Sequence, residues 1–384
     1  STLSSSSAAS DVYKRQVETI AVEKKLGLKG SPTCQLSFGE NGNCTGELVG
    51  EENQGMPIFF TMINESRLIA ARHGAAVAST AYLHALAYAK ERLQGTEIGK
   101  PAGSGQCPII KHPDVRRMLL QMKAYTEGVR AILLYASYCM DRERMAQTQE
   151  ERDRWESRAA FLTPVVKAYG TDLSFRVTET AMQVYGGYGY MKDYPVEQFL
   201  RDEKVHSIFE GTNGIQALDL AGRKLGRDSD ALFTGLLEDI HAFCKENKGH
   251  PTLAHSVEIL DAARTALAEV SAFLVETQKT DFPLLALYAY PYTELFGDVI
   301  VGWLLIWQAV IAQDRLTKLA EERGISEPDG LAKLVAENAD AAFYSGKLAS
   351  ARYFVNFMLS LASAKAEVIK TADKAALEIP EHAF

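Results

Sequence analysis

At 384 residues, with 47% hydrophobic and 23% charged side chains, the chain has an ordinary globular composition and is long enough for two or three domains. A net charge of −8 and a pI near 5.6 argue against the basic face that nucleic-acid binding needs, while leaving room for a local basic pocket around a phosphate-bearing ligand. The five cysteines, Cys34, Cys44, Cys107, Cys139 and Cys244, are widely spaced and contain no C-x-x-C pair. That usage excludes a disulfide framework or zinc site and favours a reducing compartment.

The opening STLSSSSAASDVYKRQ has neither apolar periodicity nor the order of a signal peptide. Its residues 6–16 resemble the translated read-through of a sequencing adapter, so native sequence is expected from Val17, with more of the protein upstream. The alternative is a disordered Ser-rich terminus. Residues 17–52 read as β structure. CQLSFGE alternates apolar and polar side chains, CTGELVG reads as a second short strand, and turn signals follow each. So few strands cannot form a stable sheet, and the segment is expected to be the end of a larger β domain.

From Pro57 the period changes to that of a helix, predicted to end near Arg92. GTEIGKPAGSGQCPIIKHP is a loop by its Gly and Pro content, and Pro113 stands ahead of a second helix over 114–145. A third helix is predicted over 150–184, kinked or broken at Pro164. Short helices follow around 196–201 and 214–224. Residues 53–226 thus form a predicted antiparallel helical bundle, and 227–384 an appended helical domain with helices near 228–248, 251–279, 284–322 and 329–373. No run reaches the roughly 20 apolar residues of a membrane span. The nearest, VIVGWLLIWQAVIA at 299–312, reads as a buried helix. The fold class is therefore mainly α, with a β remnant at the front.

The chemistry concentrates in QVYGGYGYMKDYPVEQFLRDEKVHSIFEGTNGIQ, residues 183–216. Gly186, Gly187 and Gly189 permit close backbone approach or positive φ. Glu210, followed by Gly211, Thr212 and Asn213, places a carboxylate just before a helix N-terminus. There it serves either as a partner to the helix dipole or as a general base facing a pocket. His206, alone in its sequence neighbourhood, is given no role.

Taken together, GGYGY, YPVE, RD and FEGTN, in this order and spacing, resemble the C-terminal signature of the acyl-CoA dehydrogenase family. The resemblance runs from Val17 to about Gly226. The appended helices resemble the extension of larger bacterial members, including those acting on 3-methylmercaptopropionyl-CoA. It implies a cytoplasmic, FAD-dependent enzyme that converts an acyl-CoA thioester to the trans-2-enoyl-CoA. Glu210 would take the α-proton while hydride passes from Cβ to flavin N5, the thioester carbonyl being held by the base's own N–H and a ribityl hydroxyl. An electron-transfer flavoprotein would accept the electrons, and the enzyme would be a homo-oligomer.

The same resemblance puts Arg67 near the acyl-CoA, although Asn64 replaces the aspartate of its motif. It puts Ser31 and Gly211 at the substrate, and Arg92, Gln183, Gly187 and Thr212 at the flavin, three of these (Arg92, Gln183 and Gly187) from across a subunit interface. Gly214 stands where the family has a glutamine. No Rossmann or P-loop motif occurs, so flavin would be held by β-domain backbone and subunit interfaces. Two alternatives stay open: an oxidase of the same superfamily that discharges to O₂, and a non-catalytic helical oligomerisation module.

Overall fold

The computed structural model describes residues 17–40, 42, 44–101, 103–225 and 229–384, and among them not the side chains of 60, 61, 64 and 229–232. The adapter-like segment 1–16 lies outside the described residues. The described residues up to Ser66 and those from Arg67 onward form two compact units, each described by itself.

In the first unit, β1 (Val17–Val22) pairs antiparallel with β2 (Cys34–Phe38), Val17 opposite Phe38, with an irregularity between Thr19 and Ala21. This corrects one expectation: CTGELVG forms no strand among the described residues, and VETIAV is the partner of CQLSF. Composition explains the choice. VETIAV carries four β-branched residues, whereas CTGELVG contains two glycines, Gly46 and Gly50, the latter at φ +79°. Ile20, Val22, Leu36 and Phe38 of this hairpin are exposed.

The helices run in the predicted order. α1 (Gly55–Glu91) carries a stripe of fully buried alanines, Ala71, Ala78, Ala81, Ala85 and Ala89, at spacings of seven, three and four that keep them on one face. α2 (Pro113–Met145) and α3 (Gln149–Tyr185) are joined by three residues, the connection length of antiparallel neighbours, and pack along their lengths. Thr148 caps α3 by accepting from the Glu151 N–H at 3.1 Å.

A second expectation is corrected inside α3, where the helix runs unbroken through Pro164. A proline cannot donate to the carbonyl four residues back, which is Ala160. Lys224 supplies the missing donor: its Nζ donates to the Ala160 carbonyl. Lys224 ends a π-helical turn, Asp219–Lys224, that continues from α5 (Asn213–Leu218). Between α3 and α5 lie α4 (Val196–Glu203) and a 3₁₀ turn, Lys204–Ser207.

The C-terminal helices are α6 (Ser229–Asn247), α7 (Ala254–Thr280) and α8 (Phe282–Glu321). Every residue from 295 to 306 is buried, the mark of a helix enclosed on all sides. α8 is long and apolar enough to cross a membrane by composition, yet 78% of its most apolar window is buried inside the protein. Gly297 admits the Tyr169 ring of α3, whose atoms lie 2.3 Å from where a Cβ would stand. Beside it, Tyr169 donates to Asp298 at 2.6 Å, and Lys365 reaches the other oxygen of the same carboxylate at 2.6 Å.

The single helix predicted over 329–373 is instead α9 (Pro328–Glu337), α10 (Ala339–Phe357), a 3₁₀ turn and α11 (Ala362–Lys370). Asn338 makes the first break by capping α10, its side chain accepting from the Ala341 N–H at 2.9 Å. A last short helix, α12 (Ala375–Glu378), follows α11.

Candidate active site

Glu210 lies in the bend between the 204–207 turn and α5, at φ 56°, in the left-handed region that costs a non-glycine residue energy. Gly211 follows at φ 80°, and a Cβ there would stand 2.7 Å from the Gln216 amide nitrogen. Two successive left-handed residues reverse the chain sharply. They turn the carbonyls of both residues toward one partner, Gln216 Nε2, which donates to Glu210 O at 3.3 Å and to Gly211 O at 3.4 Å. Thr212 then starts α5, its hydroxyl accepting from the Ile215 N–H at 3.3 Å. The glutamine that holds the turn is thus Gln216, two residues beyond Gly214.

Beneath the turn lies Lys167, fully buried in α3. Its Nζ donates to Gly211 O at 2.8 Å and to Asn213 Oδ1 at 2.7 Å. Asn213 in turn donates to Ala168 O, Thr171 Oγ1 and Asp172 Oδ1, stitching the start of α5 to α3. Burial pushes the Lys167 ammonium down to about 8, an effect opposed by Asp172 and Glu210 and reinforced by Arg67. Sequence reading assigned none of Lys167, Asn213 and Gln216. A signal for Lys167 did exist, a single lysine inside the apolar run FLTPVVKAYG of a long helix.

Arg67 is 4% exposed and pairs with Asp219 of the π turn at 3.3 Å. Its Nε has no hydrogen-bond partner among the described residues. Burial lowers its pKa, and the carboxylates of Asp219 and Glu210 oppose that shift. Arg67, Glu210, Gly211 and Thr212 therefore share one neighbourhood. The side chain of Asn64 lies outside the description, and Ser31 belongs to the first unit, where its carbonyl accepts from the Lys25 ammonium.

A second group gathers at the end of α3. Gly186 ends the helix at φ +60°, and Gly189 is pressed so close to the Met182 carbonyl that a Cβ would meet it at 2.4 Å. Gly187 does neither of these things: it is exposed, with nothing within 4 Å of its Cβ position. Gln183 is exposed one turn earlier. The Arg92 guanidinium lies 5.1 Å from the centre of the Tyr188 ring and forms no salt bridge among the described residues. Tyr188 itself stacks on Tyr194.

A strained, carboxylate-bearing turn set on a buried lysine, within an all-helical unit, defines a candidate proton-transfer site. Comparison with known proteins places the chain in a family. The profile described as Acyl-CoA dehydrogenase, C-terminal domain matches residues 53–225, and that described as Acetyl-CoA dehydrogenase C-terminal like matches residues 236–380. Butyryl-CoA dehydrogenase of Syntrophomonas wolfei is 34% identical over 373 residues, 96% of this chain and 58% of the relative. The 3-methylmercaptopropionyl-CoA dehydrogenase of Ruegeria pomeroyi is 35% identical over 349 residues, 90% of this chain and 55% of the relative. The solved structure of Caenorhabditis elegans ACDH-11 in complex with C11-CoA shares the fold, with a TM-score of 0.69, 20% identity, and coverage of 95% of this chain and 55% of that one. This chain belongs to the acyl-CoA dehydrogenase family. It spans 58% of the length of the butyryl-CoA dehydrogenase it matches.

Proposed function

We propose that the chain carries the proton-abstracting turn of an FAD-dependent acyl-CoA dehydrogenase, which converts an acyl-CoA thioester to its trans-2-enoyl-CoA. The observation that carries this reading is Glu210, held in a strained conformation with its own carbonyl bound inward. Strain of this kind persists where surrounding structure over-determines it, and here it fixes where the carboxylate stands. The named activities of the two dehydrogenase relatives support the same reading.

The residues present suit a flavin dinucleotide. Arg92 offers a cationic guanidinium with no carboxylate partner among the described residues, beside the open surface at Gly187. Thr212 accepts from Ile215 and so keeps its own hydroxyl hydrogen to donate. Arg92, Gln183, Gly187 and Thr212 would hold the group, and Arg67 and Gly211 the acyl-CoA. When bound, FAD supplies the acceptor for the β-hydrogen and its electron pair. Glu210 breaks the α C–H bond by taking the proton on a carboxylate oxygen, leaving the electron pair to form the double bond. The partners that go with this reading are an acyl-CoA, an electron-transfer flavoprotein as electron acceptor, and further copies of the chain.

In the holoenzyme, Glu210→Gln keeps flavin and acyl-CoA binding but lowers turnover by about 10²–10⁴-fold, the usual contribution of a positioned general base. Steady-state assay with an artificial electron acceptor measures it. Activity above roughly a tenth of wild type, on the same scale, removes Glu210 from the mechanism.

A further inference from the structure

Lys167 is a charged side chain with no exposed surface, placed at the centre of a helix and directed at the backbone of the Glu210 turn. Burying an ammonium is costly unless its hydrogen bonds are satisfied, so this lysine needs partners that repay the loss of water. It has two acceptors, Gly211 O and Asn213 Oδ1.

Those two bonds have a geometric consequence. In a trans peptide the C=O and N–H point to opposite sides. Drawing the Gly211 carbonyl inward to Lys167 turns the Thr212 N–H outward. The contact of Glu210 O with Gln216 does the same to the Gly211 N–H. Neither N–H has a partner among the described residues.

We propose that Lys167 is a positioning residue for Glu210: its two hydrogen bonds hold the turn in its left-handed conformation and thereby aim the carboxylate. The inference rests on the assignment of Glu210 as base. Hydrogen bonding rather than charge is the working element, because a neutral amine still offers two N–H groups for the two acceptors. The ionisable groups around it are Arg67 of α1, Asp172 of α3 and Glu210 itself.

The experiment compares Lys167→Gln with Lys167→Met in the holoenzyme. The two side chains are similar in length, but only glutamine can donate. Lys167→Met lowers kcat on the order of 10²-fold, the loss typical of a misplaced catalytic group, while KM and flavin content stay near wild type. Lys167→Gln stays within about tenfold of wild type, the size of one hydrogen bond. A second readout does not depend on activity. The Ile215 and Gln216 amides donate to Thr212, so hydrogen exchange of the segment 209–218 quickens on the order of tenfold in Lys167→Met.

Wild-type kcat together with unchanged exchange in Lys167→Met overturns the proposal. Equal kcat losses in both variants also overturn it, since charge would then be what matters. A fully active Glu210→Gln control sinks the parent assignment instead, and with it any aim for Lys167 to set, whatever the exchange data show.

Discussion

Glu203 ends α4 with 1% of its surface exposed, and neither carboxylate oxygen accepts a hydrogen bond among the described residues. Beside it is His206, whose Nδ1 lies 3.1 Å from Oε2. Burial pushes the Glu203 carboxyl above the usual carboxylate range, with His206 opposing the shift and Asp172 adding to it. For an acid with a raised folded-state pKa, the folded form holds a proton that the unfolded chain has lost. The cost of charging the buried group therefore sets in as pH rises past the unfolded value and is complete above the folded one. Glu203→Gln removes the charge but keeps a polar group in place, and is expected to stabilise the protein at pH 7 by about 1–3 kcal/mol, on the scale of desolvating a buried group. The gain should shrink as pH falls toward 4, and urea unfolding at the two pH values measures it. A variant less stable at pH 7 would show that the ion pair with His206 outweighs burial. At this scale the sequence was only partly legible. Glu210 stood out because EGTN is a local pattern. Lys167 and Asn213 did not, because their partners sit about 45 residues away along the chain, and Gln216 did not, because a polar residue one turn into a short helix carries no pattern of its own.

At the scale of the element, Pro164 shows where local rules stop. Helical periodicity located α1, and composition between break residues located α7 and α8, because both signals are internal to the segment. Whether a proline breaks a helix depends on who receives the orphaned carbonyl, and here the donor is Lys224, 64 residues on. The same distance-blindness hid the pairing of VETIAV with CQLSF, whereas the break at Asn338 is a local N-cap that the sequence reading passed over. Lys224 pays for its position: burial, opposed by Asp219, brings its ammonium down to about 8. Between about pH 8 and the ordinary lysine value of 10.5 the unfolded chain binds more protons than the folded one, so wild-type stability rises with pH through that window. Lys224→Met lacks the titrating group. The stability difference, wild type minus variant, is therefore expected to grow between pH 7.5 and 9.5 in denaturant titrations. A difference that stays flat would mean Lys224 keeps its proton in the folded state.

Over the described residues of 67–384, the bundle and the C-terminal helices share one core, in which Gly297 packs directly against the Tyr169 ring. The ring cannot swing aside freely, since its hydroxyl is bound to Asp298, which Lys365 also holds. Gly297→Ala is expected to cost at least about 1–3 kcal/mol through overpacking, seen as a lowered Tm in a circular-dichroism melt. An unchanged Tm would show that α3 and α8 can separate cheaply. Lys167 and Tyr169 are two residues apart on α3, and at 3.6 residues per turn they leave the helix on nearly opposite sides. One side grips the Glu210 turn and the other is wedged into α8. The helix thus joins the turn and α8 through one continuous backbone. On the proposed assignment of Glu210 as base, engineering that trims or repacks the C-terminal helices is expected to reach the aim of that carboxylate through α3, as well as through the packing of α8 on α5.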